Sequence, residues 1–197
     1  MNDKENLKEP AAISAIWTDS KNIGFTMASD PLTGSLLRTL AASKPGGRFL
    51  ELGSGTGLSA AWILDGMQAG ATLTTVDNDE GLLAVLRANL TQEHRLSVVC
   101  ADGDDYVRSL TAEPGKTFDF IFADTWSGKY RLLEECLSLL APAGFYVIDD
   151  MLPQANWPEG QADKASTLVA ALEARKDLHI TKLSWASGII ICTKHGV

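Results

Sequence analysis

The sequence predicts an α/β fold: a doubly wound, mostly parallel sheet of seven strands, with an antiparallel strand pair at its C-terminal end and helices on both faces. Three observations carry this. Five short apolar runs between residues 48 and 150 alternate with segments of helical periodicity, and strands separated by helices build parallel sheets through right-handed crossovers. A glycine-rich turn, GSGTG at Gly53 to Gly57, leads from the first run straight into a helix. The last two apolar runs meet near Gly188 with no room for a crossover helix, so they should pair antiparallel.

Taken in order, residues 1–46 read as an N-terminal helical cap segment ahead of a cofactor-binding core at 48–197, all within one domain. After a polar leader, SDPLTGSLLRTLAASKPGG is a helix that Ser29 or Asp30 can cap, with Pro31 in its first turn and Gly46-Gly47 past its end. RFLELG (48–53) is a strand and LSAAWILDGMQAG (58–70) a helix; ATLTTVD (71–77) is the second strand. In EGLLAVLRANL (80–90), Leu82, Val85, Leu86 and Leu90 share one helical stripe. LSVVCAD (96–102) is a third strand, followed by a short helix at 104–111, and FDFIFAD (118–124) is a fourth. The next helix sets Leu133, Cys136, Leu137 and Leu140 on one face before Pro142 and Gly144 stop it, and GFYVIDD (144–150) is the fifth strand. A loop at 151–161 leads to ADKASTLVAALEARKD (162–177), a helix with Ala165, Leu168, Val169 and Leu172 on one face. LHITKLSWAS and GIIICTK supply the closing pair.

Composition narrows the function classes. The chain of 197 residues, 45% hydrophobic and 21% charged, has the make-up of a globular domain with one core. A formal net charge of -8 opposes polyanion binding, so no nucleic-acid partner is expected. The opening MNDKENLKEP lacks the cationic-then-apolar build of a signal peptide and no apolar stretch is long enough to span a bilayer, so a cytoplasmic protein with no membrane contact is expected. Cys100, Cys136 and Cys192 form no CxxC pair and read as small core residues; His94, His179 and His195 have no metal-ligand spacing.

Ligands of such sheets bind at the carboxyl ends of the strands, near the switch in strand order. Gly53, Asp77, Asp102, Asp124, Asp149 and Asp150 all fall at such ends. In GSGTG, small residues let backbone approach a ligand, and the helix amino terminus offers free N–H groups. The loop reads G-x-G-x-G, one place short of the dinucleotide pattern, and no P-loop lysine follows it. Taken alone, an aspartate at a strand end is most often a turn former. Beside GSGTG, Asp77 is placed to accept hydrogen bonds from ribose hydroxyls, with Asp102 and the backbone at Gly103 set to hold an adenine.

ELGSGTGLSA, VDNDEGLLAVLRANL, ADGDD and FDFIFADTWSGKY, in this order and spacing, resemble class I S-adenosylmethionine-dependent methyltransferases. Within that class the chain is most similar to the small-molecule O-methyltransferases of the catechol and caffeoyl-CoA type. The resemblance covers about residues 24 to 150, including TMASDPLTGSLL, which resembles the stretch those enzymes lay over the cofactor. It implies a Rossmann-like sheet and S-adenosyl-L-methionine as cofactor, with Met27 over it. It also implies Glu51, Gly53, Gly55 and Ser59 at the methionine end, Asp77 on the ribose, Asp102 and Gly103 by the adenine, and Asp124 alongside. Related enzymes are often homodimers.

In metal-dependent members, an Asp ending the fourth strand and an Asp-Asn pair ending the fifth hold a divalent cation; Asp124, Asp149 and Asp150 match those places, with Asp150 where the family has Asn. Oxygen ligands suit Mg²⁺, Ca²⁺ or Mn²⁺. Adjacent strand residues point to opposite sides, so Asp149 and Asp150 can both coordinate only if the strand has ended before them. The family base is a lysine three residues after the fourth-strand Asp, where this chain has Ser127. Lys129, folding back across Gly128, is the candidate base, with a surface lysine as the alternative. Trp126, Trp157 and the segment IWTDSKNIGF are candidate walls of an acceptor pocket, or else ordinary core and loop anchors. The expected function is methyl transfer to a hydroxyl of a small, catechol-like acceptor, with or without a metal. The alternatives are a metal-independent methyltransferase acting on an amine or protein side chain, and a protein that binds the cofactor without catalysis.

Overall fold

The structure, a computed structural model, describes residues 2–3, 5, 7–154 and 157–196. Each apolar run becomes a strand: β1 (Arg48–Leu52), β2 (Thr72–Asp77), β3 (Leu96–Cys100), β4 (Phe118–Ala123), β5 (Leu140–Ile148), β6 (Leu178–Leu183) and β7 (Ile189–Lys194). The strand order is β3-β2-β1-β4-β5-β7-β6. The first five pair in parallel and β7 pairs antiparallel with both β5 and β6, as expected. The order reverses between β1 and β4, the switch point at which a ligand crevice opens.

Side chains alternate across the sheet and seed a core on each face. On β1, Phe49 packs with Ile13, Ile16, Leu37 and Ile63 on one side, while Leu50 and Leu52 pack with Ile121, Tyr146 and Leu172 on the other. Each such fully buried side chain is worth about 1.5–3 kcal/mol of transfer free energy.

The helices are α1 (Ile13–Asn22), α2 (Pro31–Ala42), α3 (Leu58–Gly66), α4 (Glu80–Leu90), α5 (Gly103–Thr111), α6 (Leu133–Ser138) and α7 (Gln161–Glu173). Asp30, not Ser29, caps α2, its carboxylate accepting from the Leu32 amide at 2.8 Å. α1 overlaps the segment IWTDSKNIGF within the expected helical cap; its core positions are Ile13, Ile16 and Ser20, and a serine at the third blurs the apolar stripe. α3 stops at Gly66 because Met67 is already extended. The buried stripe of α4 is Leu83, Leu86 and Leu90, and Leu82 instead turns half-buried toward the cleft described below.

α6 is shorter than its periodicity suggests, since Leu140 opens β5. Pro142 is tolerated in that strand because the β4/β5 register shifts between Phe118 and Phe120, where no ladder donor is needed. Cys136 and Cys192 are buried, but Cys100 is exposed because β3 is an edge strand. Among the described residues no helix is long and apolar enough to cross a membrane.

α2 and α3 pack at glycines. A Cβ on Gly34 would strike the Trp62 ring, and one on Gly66 would strike the Arg38 backbone carbonyl. Gly66→Ala should therefore destabilise the fold by about 1–3 kcal/mol, the usual range for overpacking. In urea unfolding this appears as a lower midpoint at an unchanged slope.

Candidate functional site

A cleft of ≈ 920 Å³ lies over the carboxyl ends of β1, β4 and β5, and Gly53, Gly55, Ser59, Asp77, Asp124 and Lys129 are among its lining residues. A second hollow of ≈ 70 Å³ adjoins it at Gly53 and Asp77 and reaches Asp102, Gly103 and Ser127. The two halves of the sheet meet at Gly53. Its φ of +90° is open to glycine, and a Cβ there would lie 2.8 Å from the Asp124 carbonyl oxygen. Asp77 ties down the loop: its Oδ2 accepts from the Gly55 amide at 2.9 Å and its Oδ1 from the Asp79 amide at 3.0 Å. Each oxygen can accept a further hydrogen bond, and Asp77 lines the cleft.

Glu51 sits behind the lining rather than in it. It is fully buried; the Thr75 hydroxyl donates to its Oε2, while its Oε1 has no partner among the described residues. Burial pushes its pKa up to about 7 against the hydrogen bond from Thr75. A buried, half-satisfied carboxylate beneath the amino terminus of α3 suits a cationic ligand group. Met27 is 72% exposed at the rim, consistent with a residue that covers the cleft. Asp102 caps α5, accepting from the amides of Asp104 at 2.9 Å and Asp105 at 3.1 Å, so its carboxylate already has a structural role beside the smaller hollow.

The acidic residues gather at the other end. Asp124 Oδ2 accepts from Ser29 Oγ at 2.9 Å. Burial first, then Asp149 and Asp150, hold its pKa well above the usual carboxylate range, with Lys129 and Ser29 opposing. Asp149 is buried, accepts from the Asp150 amide at 2.8 Å and from the Ser187 hydroxyl, and is pushed up to about 6 by burial. Asp150 has a φ of +56° and accepts from Gln154 Nε2 at 2.8 Å; burial raises its pKa and Lys129 opposes this.

β5 has ended at Ile148, so the pair is free of strand alternation. The ligand set nevertheless does not form. Ser29, Ser187 and Gln154 draw the three carboxylates to separate partners, and among the described residues no group of three or more His, Cys, Asp or Glu is arranged to hold a metal ion. Asp124, Asp149 and Asp150 thus share an edge, but among the described residues they are not arranged as the ligand set the resemblance implies.

Lys129 does fold back. Ser127 is buried and donates to Asp104 Oδ1 at 2.6 Å, turned toward α5. Gly128 takes a φ of +78°, and the Tyr146 hydroxyl donates to its carbonyl. That turn carries Lys129 inward to 5% exposure, where Nζ donates to the carbonyls of Asp149 at 2.6 Å and Asp150 at 3.4 Å. Burial lowers its pKa, while Asp124, Asp150 and Asp149 push it back up.

Trp126, 41% exposed, meets the Tyr130 ring edge-on at 6.2 Å, and Lys164 Nζ lies 4.1 Å from its ring centre. Trp126, Trp157 and, from the N-terminal segment, Trp17 and Phe25 line the cleft. In the 151–160 loop, Ala155 and Asn156 lie outside the described residues. As partners of carboxylates distant in sequence, Ser29, Thr75 and Ser187 had no signal there, and Gln154, four residues after Asp150, lies in a loop without a pattern to mark it.

Because the folded pKa of Glu51 exceeds the ordinary 4.5, its ionisation costs stability as pH rises through about 4.5 to 7. Glu51→Gln should remove up to about 3 kcal/mol of that loss. The fall in melting temperature from pH 5 to pH 8, measured without ligands, should be smaller in the variant than in the wild type.

A family model described as a methyltransferase domain matches residues 50–151. A Mycobacterium leprae protein provisionally named an O-methyltransferase is 28% identical over 123 residues, 60% of this chain and 53% of the relative. A demethylmenaquinone methyltransferase of Clavibacter sepedonicus is 29% identical over 147 residues, 72% of this chain and 58% of the relative. The chain thus spans little more than half the length of these relatives. An O-methyltransferase from Bacillus cereus in complex with SAH superposes with a TM-score of 0.85 at 18% identity, covering 96% of this chain and 93% of that one. TomG, an O-methyltransferase from Streptomyces achromogenes involved in tomaymycin synthesis and solved with SAM, gives 0.83 at 20%, covering 98% and 93%. At these identities the structural likeness speaks to fold.

Proposed function

The chain belongs to the methyltransferase-domain family, and we propose that it transfers the methyl group of S-adenosyl-L-methionine to a hydroxyl of a small acceptor, with a catechol-like aromatic as the leading class. One observation carries this reading: a single cleft joins the glycine loop and Asp77 to the inward-turned amine of Lys129. The unpartnered Oε1 of Glu51, the close approach at Gly53 and the absence of a side-chain cap on α3 all suit the cofactor. Bound there, the cofactor supplies an already activated methyl on a sulfonium.

The chain's own work is alignment and deprotonation. Asp77 and the loop amides hold the ribose, and Asp102 and Gly103 flank the base. Glu51, beneath Ser59, faces the ammonium of the methionine end. Trp126 and Trp157 orient a flat acceptor and exclude water. The Lys129 amine accepts the acceptor's hydroxyl proton, and the carboxylates of Asp124, Asp149 and Asp150 stabilise the ammonium that results. No step runs through a metal.

Calorimetry with S-adenosylmethionine and its demethylated product, together with product detection on a catechol panel, tests the reading. Asp77→Ala should weaken cofactor binding by about tenfold or more, the loss of a charged hydrogen-bond partner. Lys129→Met should leave cofactor affinity within about twofold and cut kcat by about 10²-fold or more. The wild-type rate should climb with pH toward a lysine pKa below the ordinary 10.5. Failure to bind the cofactor at millimolar concentration sinks the reading, and cofactor binding without any methylated product leaves a binding role.

A further inference from the structure

We propose that Lys129 is the built-in cation of this site, occupying the place where the resemblance implies a divalent metal. Asp124 and Asp150 line one end of the cleft with the buried Asp149 next to them in the chain, and uncompensated charge of that density is costly. Lys129 is the cation whose field each of the three feels. Its Nζ holds the main-chain carbonyls of Asp149 and Asp150, oxygens that a hard cation would otherwise draw on.

The carboxylates are meanwhile turned to Ser29, Ser187 and Gln154, so they form no convergent cage. The local chain is built for this exchange. Ser127 is directed to Asp104, and the left-handed turn at Gly128, pinned by Tyr146, delivers the lysine two residues later. A Cβ at Gly128 would lie 2.7 Å from the Tyr146 hydroxyl, so the turn admits no side chain. As the ammonium this side chain compensates the charge of the carboxylates; deprotonated, it is the base of the proposed reaction, so the two duties belong to its two protonation states.

The proposal rests on reading this cleft as a methyl-transfer site, but its test measures metal binding alone, so the two can fail separately. Mn²⁺ is titrated into the full chain and followed by electron paramagnetic resonance, for the wild type, Lys129→Met, Lys129→Gln and Lys129→Arg. Melting temperature and S-adenosylmethionine affinity serve as checks on folding.

The wild type and Lys129→Arg should show no Mn²⁺ uptake at millimolar ion. Lys129→Met and Lys129→Gln should bind Mn²⁺ at least about tenfold tighter, as befits removal of a unit charge beside the cluster, and Asp149→Asn added to either should abolish the gain. Tight Mn²⁺ binding by the wild type overturns the proposal. So does the lack of any gain in whichever of the Met and Gln variants is folded, or an equal gain in Lys129→Arg.

Discussion

The close approach of Gly53 to the backbone of Asp124 is the constraint on which the rest depends. β1 and β4 lie side by side where the strand order reverses, and the chain beyond them stays this close because one side begins at a residue without a Cβ. At such a switch point the crossovers leave to opposite faces of the sheet, and a cleft opens between them. It brings the glycine loop and Asp77 from one half of the sheet against Asp124 and Lys129 from the other. A side chain at position 53 would push the β4 loop away, and both halves of the site would lose their common wall.

Electrostatics then divides the cleft. At the loop end, single carboxylates face outward from well-satisfied turns or, as with Glu51, wait half-satisfied in the core. At the Lys129 end three carboxylates are raised in pKa by burial, Asp124 and Asp149 also by acidic neighbours, and burial lowers the lysine. Opposed shifts of this kind narrow the gap in proton affinity between the amine and the carboxylates around it. A divalent ion would resolve the same charge differently, but it needs ligands that converge, and with Lys129 in place the carboxylates are turned to Ser29, Ser187 and Gln154 instead.

Most of the architecture was legible because it rests on local pattern. Apolar runs of five or six residues, helical stripes, and the Pro31 and Gly57 boundaries all record themselves in neighbouring residues. Errors arose where tertiary context overrode the pattern. Leu82 fits the stripe of α4 but faces the cleft, and Leu140 completes a helical face yet starts β5 because the β4 edge claims its backbone. α1 escaped notice because a buried serine, donating to Thr56 at 2.7 Å, replaces an apolar contact.

From the sequence alone came the sheet with its antiparallel close, the loop with its acid at Asp77, and the gathering of Asp124, Asp149 and Asp150 at one edge, since strand ends share an edge wherever the strands are parallel. Tertiary structure decided which atoms meet. Whether Lys129 turned inward depended on a left-handed glycine and a tyrosine from the next strand, and whether three aspartates became a cage depended on hydroxyls and an amide up to 95 residues away. Periodicity fixes the face a side chain belongs to, whereas the direction of its last few atoms is set by partners that only folding brings near.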